Sequence, residues 1–252
     1  MSRRGALFAL SGVDCAGKST QRDLLMDALR SRGYTPVTLW TRAGYSPGLK
    51  AIKRALRAMT GVRKPRRQCV SEKPGLYPRR LANLGNPLKR WLWLTAALLD
   101  LLWVYGVRIR IWKARGRIVV CDRYLLDCRV DFRVNFPADR IENRLLFRLL
   151  RCFSVRPDAA FCLLIPAEMS LERARGKSRF HWEPLEVLQQ RRTDYEALSN
   201  LLGMQVLDGE RPAGEIARSI QRSVADILPA SSSPSANRTR RTRASCEWTR
   251  SE

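Results

Sequence analysis

The sequence predicts an α/β fold, a doubly wound parallel sheet with helices on both faces, and three observations lead to this prediction. Short apolar runs of strand length alternate with segments of helical periodicity over residues 7–228. The first apolar run passes directly into a glycine-spaced loop, and the third ends on charged residues. In parallel sheets, such residues gather at the carboxyl edge, where ligands bind.

The glycine-spaced loop lies in the stretch 7–20, LFALSGVDCAGKST, which reads as a strand, a loop and the start of a helix. It matches the spacing G-x-x-x-x-G-K-[ST], typical of phosphate-binding loops. The glycines let several backbone N–H groups point at one anion at a helix N-terminus. A glycine turn without a ligand is the alternative, but the strand–loop–helix context favours phosphate binding. The predicted nucleotide-binding residues are Gly12, Val13, Asp14, Cys15, Ala16, Gly17, Lys18, Ser19 and Thr20.

Within this loop, two side chains carry chemistry of their own. Lys18 can reach the outer phosphates as a point charge, and the Ser19 hydroxyl can ligate Mg²⁺. Both roles follow directly from the positions of these residues in the motif. We therefore predict a phosphate and magnesium site at the end of the first strand.

The stretch 116–124, GRIVVCDRY, predicts a buried parallel strand that ends on polar residues. Asp122 can hold Mg²⁺ or its water, or accept a proton from the attacking group. Arg123 can grip a phosphate with its planar guanidinium. Asp-Arg-Tyr alone is a weak signal, and its place after a buried strand in a chain with a phosphate loop strengthens it. Arg42 likewise follows the second predicted strand, 36–40.

The remaining elements follow from periodicity and from glycine and proline positions. Further strands are predicted at 158–165 and 204–207. Helices are predicted at 18–32, 47–59, 91–107, 139–152, 167–175, 184–202 and 212–228.

A cationic cluster surrounds Gly176 between two predicted helices and comprises Arg173, Arg175, Lys177 and Arg179. A glycine flanked by cations is what a mobile lid over a phosphoryl group requires, because it can close, exclude water and neutralise charge. A solvated basic helix end is the alternative interpretation. We predict a lid at about 173–183.

The chain of 252 residues carries a net charge of +24, which favours anionic binding partners: nucleotides, nucleic acid or an anionic membrane face.

A basic, proline-rich insertion at about 61–90 is either a surface for an anionic partner or a solvated loop. Residues 229–252 are rich in Ser, Pro and Arg and predict a disordered basic tail after a domain at 1–228 that carries the phosphate loop. The seven cysteines lack metal-ligand spacing, which predicts reduced thiols and a cytoplasmic protein.

The segment 91–107, WLWLTAALLDLLWVYGV, is apolar nearly all round apart from Asp100. It is slightly short for a membrane span and is followed at once by arginines. A helix buried against the sheet is the favoured interpretation. Peripheral membrane contact, helped by the flanking basic residues, remains a second one.

With these motifs in order, the chain resembles the thymidylate kinase family of nucleoside monophosphate kinases from about residue 7 to residue 228. The features that carry the resemblance are GVDCAGKST at 12–20, Thr41-Arg42, RGRIVVCDRY at 115–124, LERARGKSRF at 171–180 followed by Tyr195, and VLDGERP at 206–212. The resemblance implies a five-stranded P-loop kinase fold, ATP and Mg²⁺, and transfer of the γ-phosphoryl group to a nucleoside monophosphate. Family members are commonly dimers, which raises a homodimer by analogy, and no sequence-specific nucleic acid is expected.

Carried over residue by residue, the resemblance implies a division of roles. Asp14, Arg42, Arg123 and Tyr124 would bind the acceptor, and Ser19 and Asp122 would bind the metal. The implied catalytic residues are Lys18, Asp122, Arg173, Arg175 and Arg179. Because Cys15 occupies the loop position where one version of the family has an arginine, the version with lid arginines is implied.

Two departures from the family concern the acceptor. The helix before the Asp-Arg-Tyr strand usually carries Ala-Asp-Arg, and here the comparable place reads Leu99-Asp100-Leu101. The 61–90 stretch is also longer and more basic, so the layout looks like the divergent thymidylate-kinase-like branch. The leading expectation is phosphorylation of dTMP or a related (d)NMP. The alternatives are a kinase of a sugar, lipid-linked saccharide or other small molecule, and a protein of anionic polymers or membranes with a vestigial nucleotide site.

Overall fold

The computed structural model describes residues 5–41, 86–176 and 183–228. Five parallel strands form one sheet in the order β2-β3-β1-β4-β5. The strands are β1 Ala6–Gly12, β2 Pro36–Trp40, β3 Ile118–Asp122, β4 Ala159–Leu164 and β5 Gln205–Asp208. This confirms the predicted doubly wound sheet, because every strand is parallel to its neighbours and helices pack on both faces.

The helices of the described ranges alternate with the strands. They are α1 Lys18–Ser31, α2 Pro87–Leu102, α3 Ile109–Ala114, α4 Leu125–Asn135, α5 Leu145–Phe153, α6 Ala167–Arg175, α7 Leu185–Leu201 and α8 Ala213–Ala225. A π-helical segment, Trp103–Arg108, joins α2 to α3. Single 3₁₀ turns at Pro137–Asp139 and Ile141–Asn143 precede α5.

Strand β1 is buried along its whole length and separates two cores. Phe8 and Leu10 face the core formed with α1, α7 and α8. Leu7 and Ala9 face the core formed with α2, α3 and α5. This follows from the two-residue period of a strand, which sends successive side chains to opposite faces. The central position of β1 therefore fixes where its C-terminal loop emerges, at the carboxyl edge of the sheet.

The helix predicted over 139–152 is wrong in its first half, because α5 begins only at Leu145. Arg140 has a left-handed backbone with φ of 40°, which an α-helix does not accommodate. Ion pairs hold the turns on either side: Arg144 bonds Asp139 at 3.1 Å, and Arg129 bonds Glu142 at 2.7 Å. The periodicity of this stretch therefore extends beyond the helix itself.

The helix predicted at 91–107 extends from Pro87 to Ala114 through the π-helical segment. One of its faces packs on the sheet, with Leu94, Leu98 and Tyr105 fully buried. The other face is exposed, so burial against the sheet describes only half of the helix. The part Arg90–Ala114 is long and apolar enough to cross a membrane, and 44% of its apolar window is buried inside the protein.

Several sequence predictions fall outside the described residues. These are the helix at 47–59, most of the basic insertion at 61–90, the tail at 229–252, Arg42, and the lid residues 177–182, which include Arg179. They remain predictions, as do the domain limits.

Candidate active site

The phosphate loop connects the end of β1 to the start of α1, as the motif predicts. Gly12 has φ of 136°, and a Cβ there would lie 2.0 Å from the carbonyl oxygen of Leu163 on β4. Gly17 precedes α1 with φ of 92°, a left-handed conformation that favours glycine. The two glycines are thus required for different reasons, close approach at Gly12 and backbone conformation at Gly17. The first turn of α1 has its N–H groups directed at the loop.

The Lys18 ammonium is buried over the loop and donates to two backbone carbonyls. It lies 2.8 Å from the carbonyl oxygen of Gly12 and 2.6 Å from that of Val13. Burial, and next the positive charge of Arg123, lower the pKa of Lys18. An ammonium has three N–H donors, so Lys18 can hold both carbonyls and a phosphate oxygen at once.

Ser19 and Asp122 come together across the β1–β3 pair. The Ser19 hydroxyl donates to Asp122 Oδ2 at 3.1 Å, and Arg22 Nη1 donates to the same oxygen at 2.9 Å. The described ranges hold no group of three or more His, Cys, Asp or Glu side chains that could bind a metal. Mg²⁺ at nucleotide sites uses one or two protein oxygens together with water and phosphates. A hydroxyl beside a buried carboxylate therefore fits the ion.

Asp14 in the loop forms an ion pair with Arg123 at the end of β3. The Arg123 backbone is left-handed, with φ of 77°, and its N–H donates to the Leu10 carbonyl at 2.9 Å. Burial alone would lower the pKa of Arg123, but the neighbouring carboxylates, Asp14 first, raise it well above the usual value. Arg123 is therefore a permanent cation, held in an uncommon backbone conformation close to Lys18.

A buried network of hydrogen bonds centred on Asp127 supports Arg123. Asp127 Oδ2 accepts from the Tyr124 N–H at 3.0 Å, its Oδ1 accepts from the Tyr195 hydroxyl at 2.8 Å, and that oxygen lies 3.7 Å from Arg123 Nη1. Burial and then the Asp127 charge raise the pKa of Tyr195 well above its usual value, so the hydroxyl stays protonated and donates. Asp127 thus links α7 to the turn that carries Arg123.

The Tyr124 side chain points into the core rather than along this site. Its ring packs at a tilt against that of Tyr105, with ring centroids 4.4 Å apart, and its hydroxyl donates to the Val155 carbonyl at 2.7 Å. Contact of Tyr124 with the acceptor therefore stays a prediction, and what the structure shows is that the Tyr124 backbone N–H donates to Asp127 of this network. Tyr124 is the N-cap residue of α4 and has an extended backbone.

Replacement of Tyr195 by phenylalanine tests this network. The variant keeps the ring and loses one hydrogen bond to a buried carboxylate, so we expect about 1–3 kcal/mol less stability. Because Asp127 also lies beside Arg123, kcat/KM for the acceptor should fall several-fold while KM for ATP changes little. Thermal unfolding and initial rates check both effects. Tyr34→Phe, just after the turn that follows α1, is the matched control, and equal behaviour of the two variants would contradict the positioning role.

Helix α6 brings part of the predicted lid against the phosphate loop. The Ser170 hydroxyl donates to the Asp14 carbonyl at 2.7 Å, and Arg173 Nη1 lies 3.4 Å from the carbonyl oxygens of Cys15 and Gly209. Arg175 is exposed at the end of α6. At the end of the predicted lid, Glu183 accepts from the buried Arg191 at 2.5 Å, and this bond holds Glu183 close to the start of α7. The described residues therefore place Arg173 at the loop.

Sequence reasoning did not identify three polar side chains of this site. Arg22 lies three residues after Ser19 and four after Lys18, the spacing of one helix face, so the signal was present. Asp127 follows Arg123 by four residues, but its bond to Tyr195 joins distant parts of the chain. Ser170 gave no signal, because a serine inside a helix is common.

The arrangement is that of a P-loop kinase. A phosphate loop follows the central strand, a carboxylate ends the adjacent strand, and cations lie on α1 and α6.

Comparison with known proteins identifies the family within this class. The chain is 30% identical over 228 residues to a thymidylate kinase of Dinoroseobacter shibae, covering 87% of this chain and 96% of the relative. It is 28% identical over 234 residues to a thymidylate kinase of Ruegeria pomeroyi, covering 87% and 94%. No family model matches the chain. The chain belongs to the thymidylate kinase family.

Proposed function

We propose that this protein is a nucleoside monophosphate kinase that transfers the γ-phosphoryl group of ATP to dTMP or a related (d)NMP. The observation that carries the proposal is the Asp14–Arg123 pair beside Lys18 and Asp122. In this pair, the permanently charged guanidinium of Arg123 can bind the phosphate of the acceptor, beside the loop that binds the phosphates of ATP. The names of the two relatives support thymidylate as the leading acceptor.

In this reaction, an acceptor phosphate oxygen forms a bond to the γ-phosphorus, and the bond from that phosphorus to the β–γ bridging oxygen breaks. ADP leaves with the electron pair, and the acceptor becomes a diphosphate. Catalysis of this kind depends on positioning and charge stabilisation. Arg123 and Asp14 orient the acceptor, and Arg42 adds a further cation by the family resemblance.

Lys18 and the loop N–H groups hold the β- and γ-phosphates of ATP. The arginines at 173, 175 and 179 stabilise the negative charge of the transferring group as the lid closes. Mg²⁺, held by Ser19 and Asp122, would neutralise phosphate charge when bound. Arg22, bonded to Asp122, keeps that carboxylate oriented towards Ser19.

Replacement of Arg175 by alanine tests the lid. Arg175 is exposed and distant from the buried core, so folding should be unaffected. If the residue stabilises charge that develops during transfer, kcat should fall about 10²–10³-fold while ATP affinity stays nearly constant. Steady-state rates and nucleotide binding measure the two quantities. Arg222→Ala, on the outer side of α8, is the matched control, and a change in ATP affinity alone would refute the lid role.

A second candidate is a kinase of a sugar, lipid-linked saccharide or other non-nucleotide acceptor. It is favoured by the Leu99-Asp100-Leu101 sequence, where the family usually has Ala-Asp-Arg. Leu101 is 1% exposed and packs in the core with Leu98, so no cation for the acceptor comes from this position. The same feature supports placement in the divergent branch of the family.

The experiment that separates these candidates is ADP release with ATP and Mg²⁺ against dTMP, dUMP, dCMP, UMP, GMP, AMP and simple sugars. Fast turnover with dTMP supports the leading proposal. Turnover with a sugar alone supports the second candidate. ATP binding without any acceptor-dependent turnover would indicate a vestigial site and overturn both.

A further inference from the structure

The hydroxyl of Tyr105 lies in the core beneath the candidate site and contacts side chains of two other segments. Tyr105 belongs to the π-helical segment Trp103–Arg108 and is fully buried. Its hydroxyl oxygen lies 2.6 Å from Thr41 Oγ1, just after β2, and 3.3 Å from Cys128 Sγ on α4. Thr41 and Cys128 are each only 1% exposed. Three polar groups from different segments therefore satisfy one another inside the core.

The direction of these bonds follows from the carbonyl at which they end. Thr41 Oγ1 also lies 3.5 Å from the carbonyl oxygen of Arg123, a long hydrogen bond in which the carbonyl can only accept. A hydroxyl has one proton, so a Thr41 that donates to this carbonyl must accept from Tyr105. Burial, and next the neighbouring Cys128, raise the pKa of Tyr105 well above its usual value, so the phenol keeps the proton that it donates. The bonds thus run from Tyr105 through Thr41 to the backbone of Arg123.

Tyr105 is itself held at its backbone and at its ring. Its carbonyl accepts from the Val155 N–H at 3.2 Å. Its ring packs against that of Tyr124, whose hydroxyl donates to the carbonyl of the same Val155. Arg110 Nη1 donates to the Phe153 carbonyl at 2.6 Å, which ties this part of the chain to the end of α5. Because the rest of the residue is fixed, the Tyr105 hydroxyl can hold a neighbouring segment in place; π-helical segments of this kind are often found at functional sites.

The turn that receives these bonds carries the cation proposed for the acceptor. The Arg123 backbone is left-handed, with φ of 77°, a conformation that a residue other than glycine keeps only where its surroundings hold it. Its N–H donates to the Leu10 carbonyl at 2.9 Å, and its own carbonyl is the group that Thr41 meets. Thr41 also directly precedes Arg42, the other cation expected at the acceptor. Thr41 therefore connects the two segments that supply these cations.

We propose that Tyr105 is a positioning residue of the acceptor site, whose hydroxyl acts through Thr41 to keep the Arg123 turn and the end of β2 in fixed positions relative to each other. This inference rests on the proposed function, because it takes Arg123 as the residue that binds the acceptor phosphate. Tyr105 acts on the placement of the guanidinium, and a displaced guanidinium loses part of its contact with the phosphate. The phosphate loop belongs to another connection, from β1 to α1, so its hold on ATP should change little.

Replacement of Tyr105 by phenylalanine removes the hydroxyl and keeps the ring. We expect kcat/KM for dTMP to fall roughly five- to tenfold while KM for ATP stays within about twofold, because one bond to the acceptor turn is lost. Thr41→Val should show the same split, and Thr41→Ser, which retains the hydroxyl, should keep the kinetics of the unaltered protein. The double variant Tyr105→Phe/Thr41→Val should be no slower than either single variant, since all three lose the same bond. Initial rates of the full chain at varied dTMP and at varied ATP measure these effects.

The matched control is Cys128→Ala, which removes the other partner of the same hydroxyl and leaves the bond from Tyr105 to Thr41. It should lower the temperature of thermal unfolding, as Tyr105→Phe does, and leave kcat/KM for dTMP within about twofold. Acceptor kinetics in Tyr105→Phe equal to those of the unaltered protein would overturn the inference. An equal loss in Cys128→Ala would also overturn it, since packing of the core would then account for the effect.

Amide hydrogen exchange provides a test that needs no turnover. In Tyr105→Phe, the Arg123 amide should exchange roughly five- to tenfold faster, because the turn that carries it opens more often. The amide of Phe8 in the middle of β1 is the internal reference, since a loss of overall stability would quicken both.

The two kinds of measurement separate this inference from the proposed function. Absence of acceptor-dependent turnover in the unaltered protein would overturn the proposed function, and faster exchange at Arg123 alone would still support the role of Tyr105 in holding the turn. Exchange at Arg123 that is unchanged, or that quickens equally at Phe8, would overturn the role of Tyr105 whatever the acceptor.

Discussion

Replacement of Lys18 by alanine is expected to lower kcat about 10³-fold or more, the largest effect of any single change in the site. The ammonium is buried, donates to the carbonyls of Gly12 and Val13, and is the cation that the loop itself offers to the β- and γ-phosphates. Its loss removes both that charge and the bonds that hold the loop in shape. Initial rates with ATP and the preferred acceptor measure the effect.

The control for this variant is Lys113→Ala, which removes another lysine that pairs with a partly buried carboxylate. Lys113 bonds Asp158 at 2.7 Å on the opposite edge of the sheet, so the variant should lose stability and keep most of its turnover. Turnover of Lys18→Ala within about tenfold of the unaltered protein would contradict the assignment of the phosphate loop.

Replacement of Arg123 by methionine is expected to lower kcat/KM for the acceptor by about 10²–10³-fold while KM for ATP changes little. Methionine keeps much of the side-chain volume and removes the cation that pairs with Asp14. A carboxylate left without its buried partner also costs about 3–5 kcal/mol of stability. Rates at varied acceptor and at varied ATP, together with thermal unfolding, separate the two effects.

A second variant distinguishes loss of folding from loss of the acceptor site. Asp14→Asn/Arg123→Met removes both charges and should recover much of the stability without recovering turnover. Arg133→Met on α4, which breaks a partly exposed ion pair with Glu142 away from the phosphate loop, is the matched control and should leave acceptor kinetics nearly unchanged. Normal acceptor kinetics in Arg123→Met would contradict the role given to this residue.

The fold could be predicted from the sequence because its signals are local. The five strands are short apolar runs, and β1 needs apolar residues at every position because both of its faces are buried. The phosphate loop is equally local, since two glycines, a lysine and a serine at fixed spacing determine its backbone and its charges. For α6, the predicted bounds 167–175 equal those of the structure.

The parts that could not be predicted depend on contacts between distant segments. The direction of the Tyr124 ring depends on its contacts with Tyr105 and Val155, which lie far from it in the sequence. The bond between Tyr195 and Asp127 joins residues 68 positions apart. The exposed face of the helix at 91–107 could not be predicted, because apolar residues on a solvent face cannot be told from core residues by composition alone.

The most direct measurement of the central claim is transfer of labelled γ-phosphate from ATP to dTMP in the presence of Mg²⁺. We predict that the label appears in the nucleoside diphosphate, and that Lys18→Ala and Arg123→Met each slow its appearance by about 10²-fold or more. Label found only in inorganic phosphate, with every nucleoside monophosphate of the panel unlabelled, would contradict the proposed kinase of nucleoside monophosphates.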